Sequence, residues 1–326
     1  MVVTTSMTSN HSYVDLQQLR YVVAVADAAS FTRGAARCHV TQSALSHRVG
    51  ALERELGVRL FARTSRSVRL TEAGEAFLRS ARVAVRAADQ AREDAAAAGG
   101  EVVGTLRLGV IPTVTVLDVP RLLLSYRAAH PEARVELREG NSDALVTAVR
   151  DGDLDVALLG LRDGLVPQGV ASRPLSRERL VAVLPPDHAL AGTPTVVVHD
   201  LADAVFADFP AGTSGRAQSD AAFAAAGVSR DVAFESDTAA GLLGLVAAGL
   251  AVTLLAPGVV SAAGHAVATA EVRDGPVRVE HVAWDAVAPR SAARAFLRIV
   301  AAARPRQTAS DGGRETGPGE FPEPVS

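Results

Sequence analysis

Residues 41–54, TQSALSHRVGALER, gather side chains suited to noncovalent recognition. Thr41 caps a predicted helix running from Gln42 to about Leu56, where Gly57 ends it. Within it Leu45, Val49, Leu52 and Leu56 fall within about 60° of one another and form the side to be buried. Ser43, His47, Gly50 and Arg54 point the opposite way, with Ser46 on the flank. Small hydrogen-bonding groups on the first half of a helix, presented by a short turn from a preceding helix, suit entry into a DNA major groove.

Other chemistries fit less well. Cys38, His39 and His47 are close in sequence but straddle two predicted helices, so buried or capping roles are expected rather than metal ligation. AGTSG at 211–215 lacks the lysine of a nucleotide-binding P-loop and reads as a ligand-binding turn or a plain cap. No serine sits in a G-x-S-x-G elbow, which argues against a hydrolase, and no cofactor motif stands out.

A short helical head must position the recognition residues. Leu16, Leu19, Val23 and Ala26 form an amphipathic stripe with Asp15 as N-cap, and Ser30 caps a helix from Phe31 to about His39 with Phe31, Ala35 and Ala36 inward. After Gly57 a two-stranded wing is expected, with Val58, Leu60 and Phe61 inward and Arg63, Arg66 and Arg69 near its tip. A long helix from Glu72 to about Ala98 carries Phe77, Ala81, Ala84, Ala88, Ala91 and Ala95 at alternating spacings of four and three. Such a seam favours helix dimerisation over packing on its own chain.

Charge by segment supports this division. The chain has net charge −3, yet residues 15–71 hold nine arginines against four acidic residues, leaving +5, the sign phosphate binding requires. All 33 basic residues are arginine, a feature ascribed to coding bias. One cysteine excludes an internal disulfide, and neither a spanning apolar run nor an export signal is apparent, so a cytoplasmic protein is expected. A free-standing exported solute-binding protein would lack the basic head.

From Thr105 onward apolar strands alternate with helices: VVGTLRLGVI, a helix over 119–129, ARVELRE, a helix over 143–150 and LDVALLG. A second unit contains ERLVAVLP, AVFADFP, a helix over 216–226, DVAFES, a helix over 238–248 and AVTLLAP; VRVEHVAW and a helix over 291–303 follow. The pattern predicts parallel α/β sheets in two lobes around a cleft, with crossings near 160–164 and 258–276.

The segment LQQLRYVVAVADAASFTRGAARCHVTQSALSHRVGALERELGVRLFARTSRSVRLTEAGEAFL closely resembles the N-terminal domain of LysR-type transcriptional regulators. GTLRLGVIPTVTVLDVPRLLLSYRAAHPEARVEL, VRDGDLDVALLG and FESDTAAGLLGLVAAGLAVTLLAP resemble landmarks of that family's effector domain. The resemblance implies an N-terminal winged helix-turn-helix, a linker helix and a C-terminal α/β effector domain of two Rossmann-like subdomains, similar to type II periplasmic binding proteins. The expected boundaries are a disordered extension at 1–14, a DNA-binding domain at 15–71, a linker at 72–100, an effector domain at 101–304 and a disordered tail at 305–326. Subdomain I takes 101–162 and 277–304; subdomain II takes 163–276.

Mapped residue by residue, the resemblance assigns base and phosphate contacts to Thr41, Gln42, Ser43, Ser46 and His47, and backbone or minor-groove contacts to Arg63 and Arg66. Many members carry arginine where His47 stands, which shortens the reach here. Thr113 and Thr115 match hydroxyl positions after the first effector-domain strand, and Asn141, Ser142, Gly212, Thr213 and Thr238 occupy equivalent strand-to-helix turns. Each of these is read as a ligand contact or a simple helix cap. Helix N-termini at such turns favour an anionic effector. The implied partners are promoter DNA, a second copy of the chain in a dimer or tetramer, a small-molecule effector and RNA polymerase, with no cofactor, metal or membrane.

Overall fold

A computed structural model describes residues 14–63 and 67–303 of the 326. The expected tails, apart from Val14, and Arg66 lie outside the described residues. The chain divides into two compact units, Met1–Arg92 and Glu93–Ser326.

The first unit opens with α1 (Leu16–Ala28), α2 (Phe31–Arg37) and α3 (Gln42–Leu56), each begun by its predicted cap, Asp15, Ser30 or Thr41. Asp15 and Gln18 form a reciprocal capping box, with bonds of 2.7 and 2.9 Å. The turns between the helices use left-handed backbone at Ala29 (φ 47°) and His39 (φ 54°).

The inward face of α1 differs from the expected stripe. Gln18, Tyr21, Val22, Val25 and Ala28 are buried, whereas Leu16 is exposed and Leu19, Val23 and Ala26 are only half-buried. In α2 the buried partner of Phe31 and Ala35 is Gly34, while Ala36 faces solvent. A Cβ at Gly34 would stand 3.0 Å from Val25 Cα, so this close helix approach turns α1 toward its valines.

The wing is the antiparallel pair β1 (Phe61–Arg63) and β2 (Val68–Leu70). Leu60 and Phe61 are buried, but Val58 is 47% exposed rather than inward. Thr71 accepts from Gly74 N–H (3.0 Å) at the start of α4 (Glu72–Ala98). There a Cβ at Gly74 would overlap the Leu60 carbonyl. Helix α4 is tied to α1 by Arg20–Asp89 and Asp27–Arg82 ion pairs, both 2.5 Å. Two residues of its expected seam are therefore covered by their own chain: Phe77 packs on the head core and Ala81 is buried. Ala88 is half-buried, while Ala84, Ala91 and Ala95 are exposed.

The second unit begins with the end of α4. Glu93, buried, pairs bidentately with Arg290, and Asp94 pairs with Arg294 at 2.9 Å. Lobe I holds β3 (Gly104–Val110), α5 (Val119–Ala129), β4 (Ala133–Glu139), α6 (Ser142–Arg150), β5 (Val156–Arg162) and β6 (Ala171–Arg179). Lobe II holds β7 (Val181–Leu184), β8 (Thr195–Val196), a 3-10 turn (Val198–Leu201), β9 (Val205–Asp208), α7 (Ser214–Ala225), β10 (Asp231–Glu235), α8 (Ala239–Ala247), β11 (Thr253–Leu255), α9 (Pro257–Ala263) and β12 (Ala268–Val272). The chain returns to lobe I through β13 (Val277–Trp284) and α10 (Ser291–Ala302).

Lobe I is a five-stranded sheet in the order β4-β3-β5-β13-β6, parallel through β4, β3 and β5 but antiparallel at both β13 pairings. The expected all-parallel sheet is thus mixed. The first crossing is also displaced: β6 belongs to the lobe I sheet, so the chain passes between lobes at Leu180, not at 160–164. The return lies at 273–276, and Leu180 N–H donates to Pro276 O at 2.9 Å, tying the two crossings together. Residues 163–179 consequently sit with lobe I rather than with subdomain II.

Candidate functional site

On the head, the outward face of α3 follows from its apolar spine. Leu45, Val49 and Leu52 are fully buried, which turns Gln42, Ser43, His47 and Arg54 to solvent, with Ser46 half-buried. Thr41 accepts from Ala44 N–H at 3.3 Å and lies 3.2 Å from the Ser43 hydroxyl. At the other end of α3, Glu53 accepts from Leu60 and Phe61 N–H at 2.9 and 3.1 Å, fixing the helix to the wing. Arg63 closes β1, opposite Val68.

Between the lobes of the second unit lies a cleft of about 350 Å³, the lower range for ligand pockets. Leu180, Phe209, Pro210, Leu254 and Leu255 supply an apolar wall, and Glu139 and Asp237 also line it. The strand-to-helix turns of α6, α7 and α8 converge there, contributing Asn141, Ser142, Thr213 and Thr238, while the turn after β3 contributes Thr113. Gly212 and Thr115 do not line it.

Several of these groups also serve the fold. Asn141, Thr213 and Thr238 are N-caps, accepting from Ala144, Arg216 and Gly241 N–H at 2.9, 3.3 and 3.1 Å. Ser142 donates to Gly160 O at 3.0 Å and accepts from its N–H at 3.1 Å. Asn141, Thr213 and Thr238 are therefore helix caps that also line the cleft.

The floor of the cleft was missed in the sequence. Arg278 on β13, 4% exposed, donates to Thr113 Oγ1 (3.0 Å), Glu178 Oε1 (2.6 Å) and Glu280 Oε1 (2.7 Å). Thr115 hydroxyl and backbone N–H also donate to Glu280, at 2.7 and 3.0 Å, which turns Thr115 into this network. Burial pushes the Glu280 carboxyl above its ordinary value, against the pull of Arg278 and the Thr115 bonds. Gly160 permits the arrangement, since a Cβ there would come within 3.3 Å of Arg278 Cδ. A signal was present: Arg278 and Glu280 stand two apart in an apolar strand, hence on one buried face.

The wall of α7 carries two further features. Gln218, 4% exposed, lines the cleft with an Oε1 that has no hydrogen-bond partner. Ser214, the first residue of α7, donates through backbone N–H and hydroxyl to the Asp143 carboxylate on α6, each at 2.8 Å.

Comparison with known proteins supplies the context for both sites. YnfL of Escherichia coli (strain K12), an HTH-type transcriptional regulator, is 36% identical over 197 residues, 60% of this chain and 66% of its own length, slightly under two thirds. A full-length OxyR variant from Pseudomonas aeruginosa superposes with a TM-score of 0.73 at 27% identity, covering 92% of this chain and all of that one. Full-length CbnR complexed with its target DNA gives 0.62 at 26% identity, covering 88% and 99%. The family of bacterial regulatory helix-turn-helix proteins, lysR family, matches residues 16–75, and the LysR substrate binding domain family matches 99–305. With both of its parts matched in order, the chain belongs to the LysR family of transcriptional regulators.

Proposed function

We propose that this chain binds promoter DNA through α3 and the wing, and that a small molecule held between the lobes of the second unit modulates that binding. The observation that carries the reading is the exposed polar face of α3 on a head of net charge +5. Gln42 offers a bidentate amide for adenine, Ser43 and Ser46 serve bases or backbone, and Arg63 and Arg66 engage phosphate or a narrow minor groove. The exposed positions of α4, Ala84 and Ala91, pair two copies into a dimer, since small residues let helices approach closely.

For the cleft, the convergence of three helix N-termini supports an anionic effector with an apolar body against Phe209 and Leu254. Arg278 already shares its charge with two carboxylates, so backbone N–H groups are the main donors to the anion, with the unpartnered Arg278 Nε beside them. Cys38 is the sole cysteine, so the signal is a ligand and not an internal disulfide.

Footprinting of upstream DNA at several salt concentrations, repeated with candidate carboxylates, tests the reading. Gln42→Ala is expected to relax preference at one base pair by about 1–3 kcal/mol. Arg63→Ala is expected to weaken binding to all sequences and to lower the salt slope by about 0.9. Salt-independent binding, or identical footprints for both variants, overturns it.

A further inference from the structure

The carboxylate of Asp143 occupies the place at the head of α7 that an anionic ligand would take. Ser214 presents the two donors a helix start offers an anion, a first-turn backbone N–H and a hydroxyl, and both are bonded to Asp143. Asp143 belongs to α6 of lobe I and Ser214 to α7 of lobe II, so the bonds join the lobes at a point remote in sequence from the covalent crossings. The flanking residues, Ser142 on one side and Thr213 and Gly215 on the other, line the cleft. Asp143 and Ser214 do not themselves line it, so their bonds lie at its edge, behind these lining residues.

Two further observations point to exchange rather than a fixed joint. Gln218, one turn along α7 from Ser214, is more than nine-tenths buried, lines the cleft and has an unpartnered Oε1, an acceptor available to an incoming donor. Asp143 itself is exposed, so on leaving Ser214 its charge returns to water without a desolvation cost.

We propose that Asp143 is a tethered stand-in for the effector's carboxylate: it pins α7 to α6 in the empty protein, and a carboxylate-bearing ligand displaces it from Ser214. This rests on the reading of the cleft as the effector site.

The test uses the full chain and acetate as probe, with methylammonium chloride as an ionic-strength control. Hydrogen–deuterium exchange of the peptide spanning 214–219 reports occupancy of the seat. In Asp143→Ala the start of α7 should exchange faster, and acetate should restore protection saturably, with an apparent Kd at least ~10-fold lower than in the parent, because a tethered competitor scales apparent affinity by the fraction of free seats. Asp143→Asn, which keeps the shape without the charge, should fall between them. Ser214→Pro in the Asp143→Ala background should abolish the rescue, since proline is accepted at the first helical position but offers no N–H.

Equal acetate response in parent and Asp143→Ala, no response in either, or rescue that survives Ser214→Pro overturns the proposal. Rescue accompanied by promoter footprints that ignore every carboxylate leaves the seat standing and removes the regulatory reading. Metabolite-dependent footprints without rescue do the reverse.

Discussion

Gln42 and Arg278 both face a proposed ligand, yet their surroundings are opposite. Gln42 stands exposed on α3 over a spine of buried leucine and valine, and its neighbours hold their places through backbone caps. Arg278 is buried, and its bonds to Thr113, Glu178 and Glu280 join β13 to β6 and to the turn after β3, as much as 165 residues away. A site displayed on a surface can change its side chains without disturbing the fold. A site made of buried charges paired with one another cannot, because each group is the counterion of another.

The sharpest way to break this contrast is Arg278→Ala. It leaves Glu178 and Glu280 buried without their cation, and a loss of about 3–5 kcal/mol is expected in the effector-domain transition by urea unfolding. An unchanged midpoint would show the floor to be as replaceable as the α3 surface. Leu45→Ala removes a fully buried side chain of the head and should cost about 3 kcal/mol in the head transition, followed by helical circular dichroism.

Smaller effects sharpen the comparison. Thr213→Ala deletes a cap that also lines the cleft and should cost about 1 kcal/mol, read as a lowered Tm. Glu280 titrates above 4.5 in the folded chain, so the native state holds more protons than the unfolded one just above that pH. Its contribution is full below pH 4.5 and is lost as pH rises through the folded value. The stability of the parent relative to Glu280→Gln should accordingly fall as pH rises, measured as the difference in urea midpoints. Gln42→Ala should move stability by less than about 0.5 kcal/mol while altering the footprint.

How much was legible in the sequence follows the same division. Capping is local chemistry, so Asp15, Thr41 and Gly57 marked helix ends that the structure bears out. The face of α1 was misread because it depends on Gly34 of another helix, which admits the Val25 backbone. Strand β6, ASRPLSRER, showed no apolar alternation because it is an edge strand; Pro174 sits at a register shift against β13. The Arg278 network joins residues far apart in sequence, and VRVEHVAW read only as an apolar strand. Cleft-lining turns were legible because a strand followed by a capped helix is a local pattern. What Asp143 does at Ser214 was not, since nothing near either residue names the other.

The turns of the head hold one more lesson. Ala29 and His39 carry left-handed backbone that costs an ordinary residue roughly 1 kcal/mol or more. Glycine at either position should relieve that strain, but it would also loosen the corner that orients α3 within the head. The chain thus keeps stiff elbows where supple ones would be more comfortable, and the return is aim: a recognition helix presented at one angle rather than many.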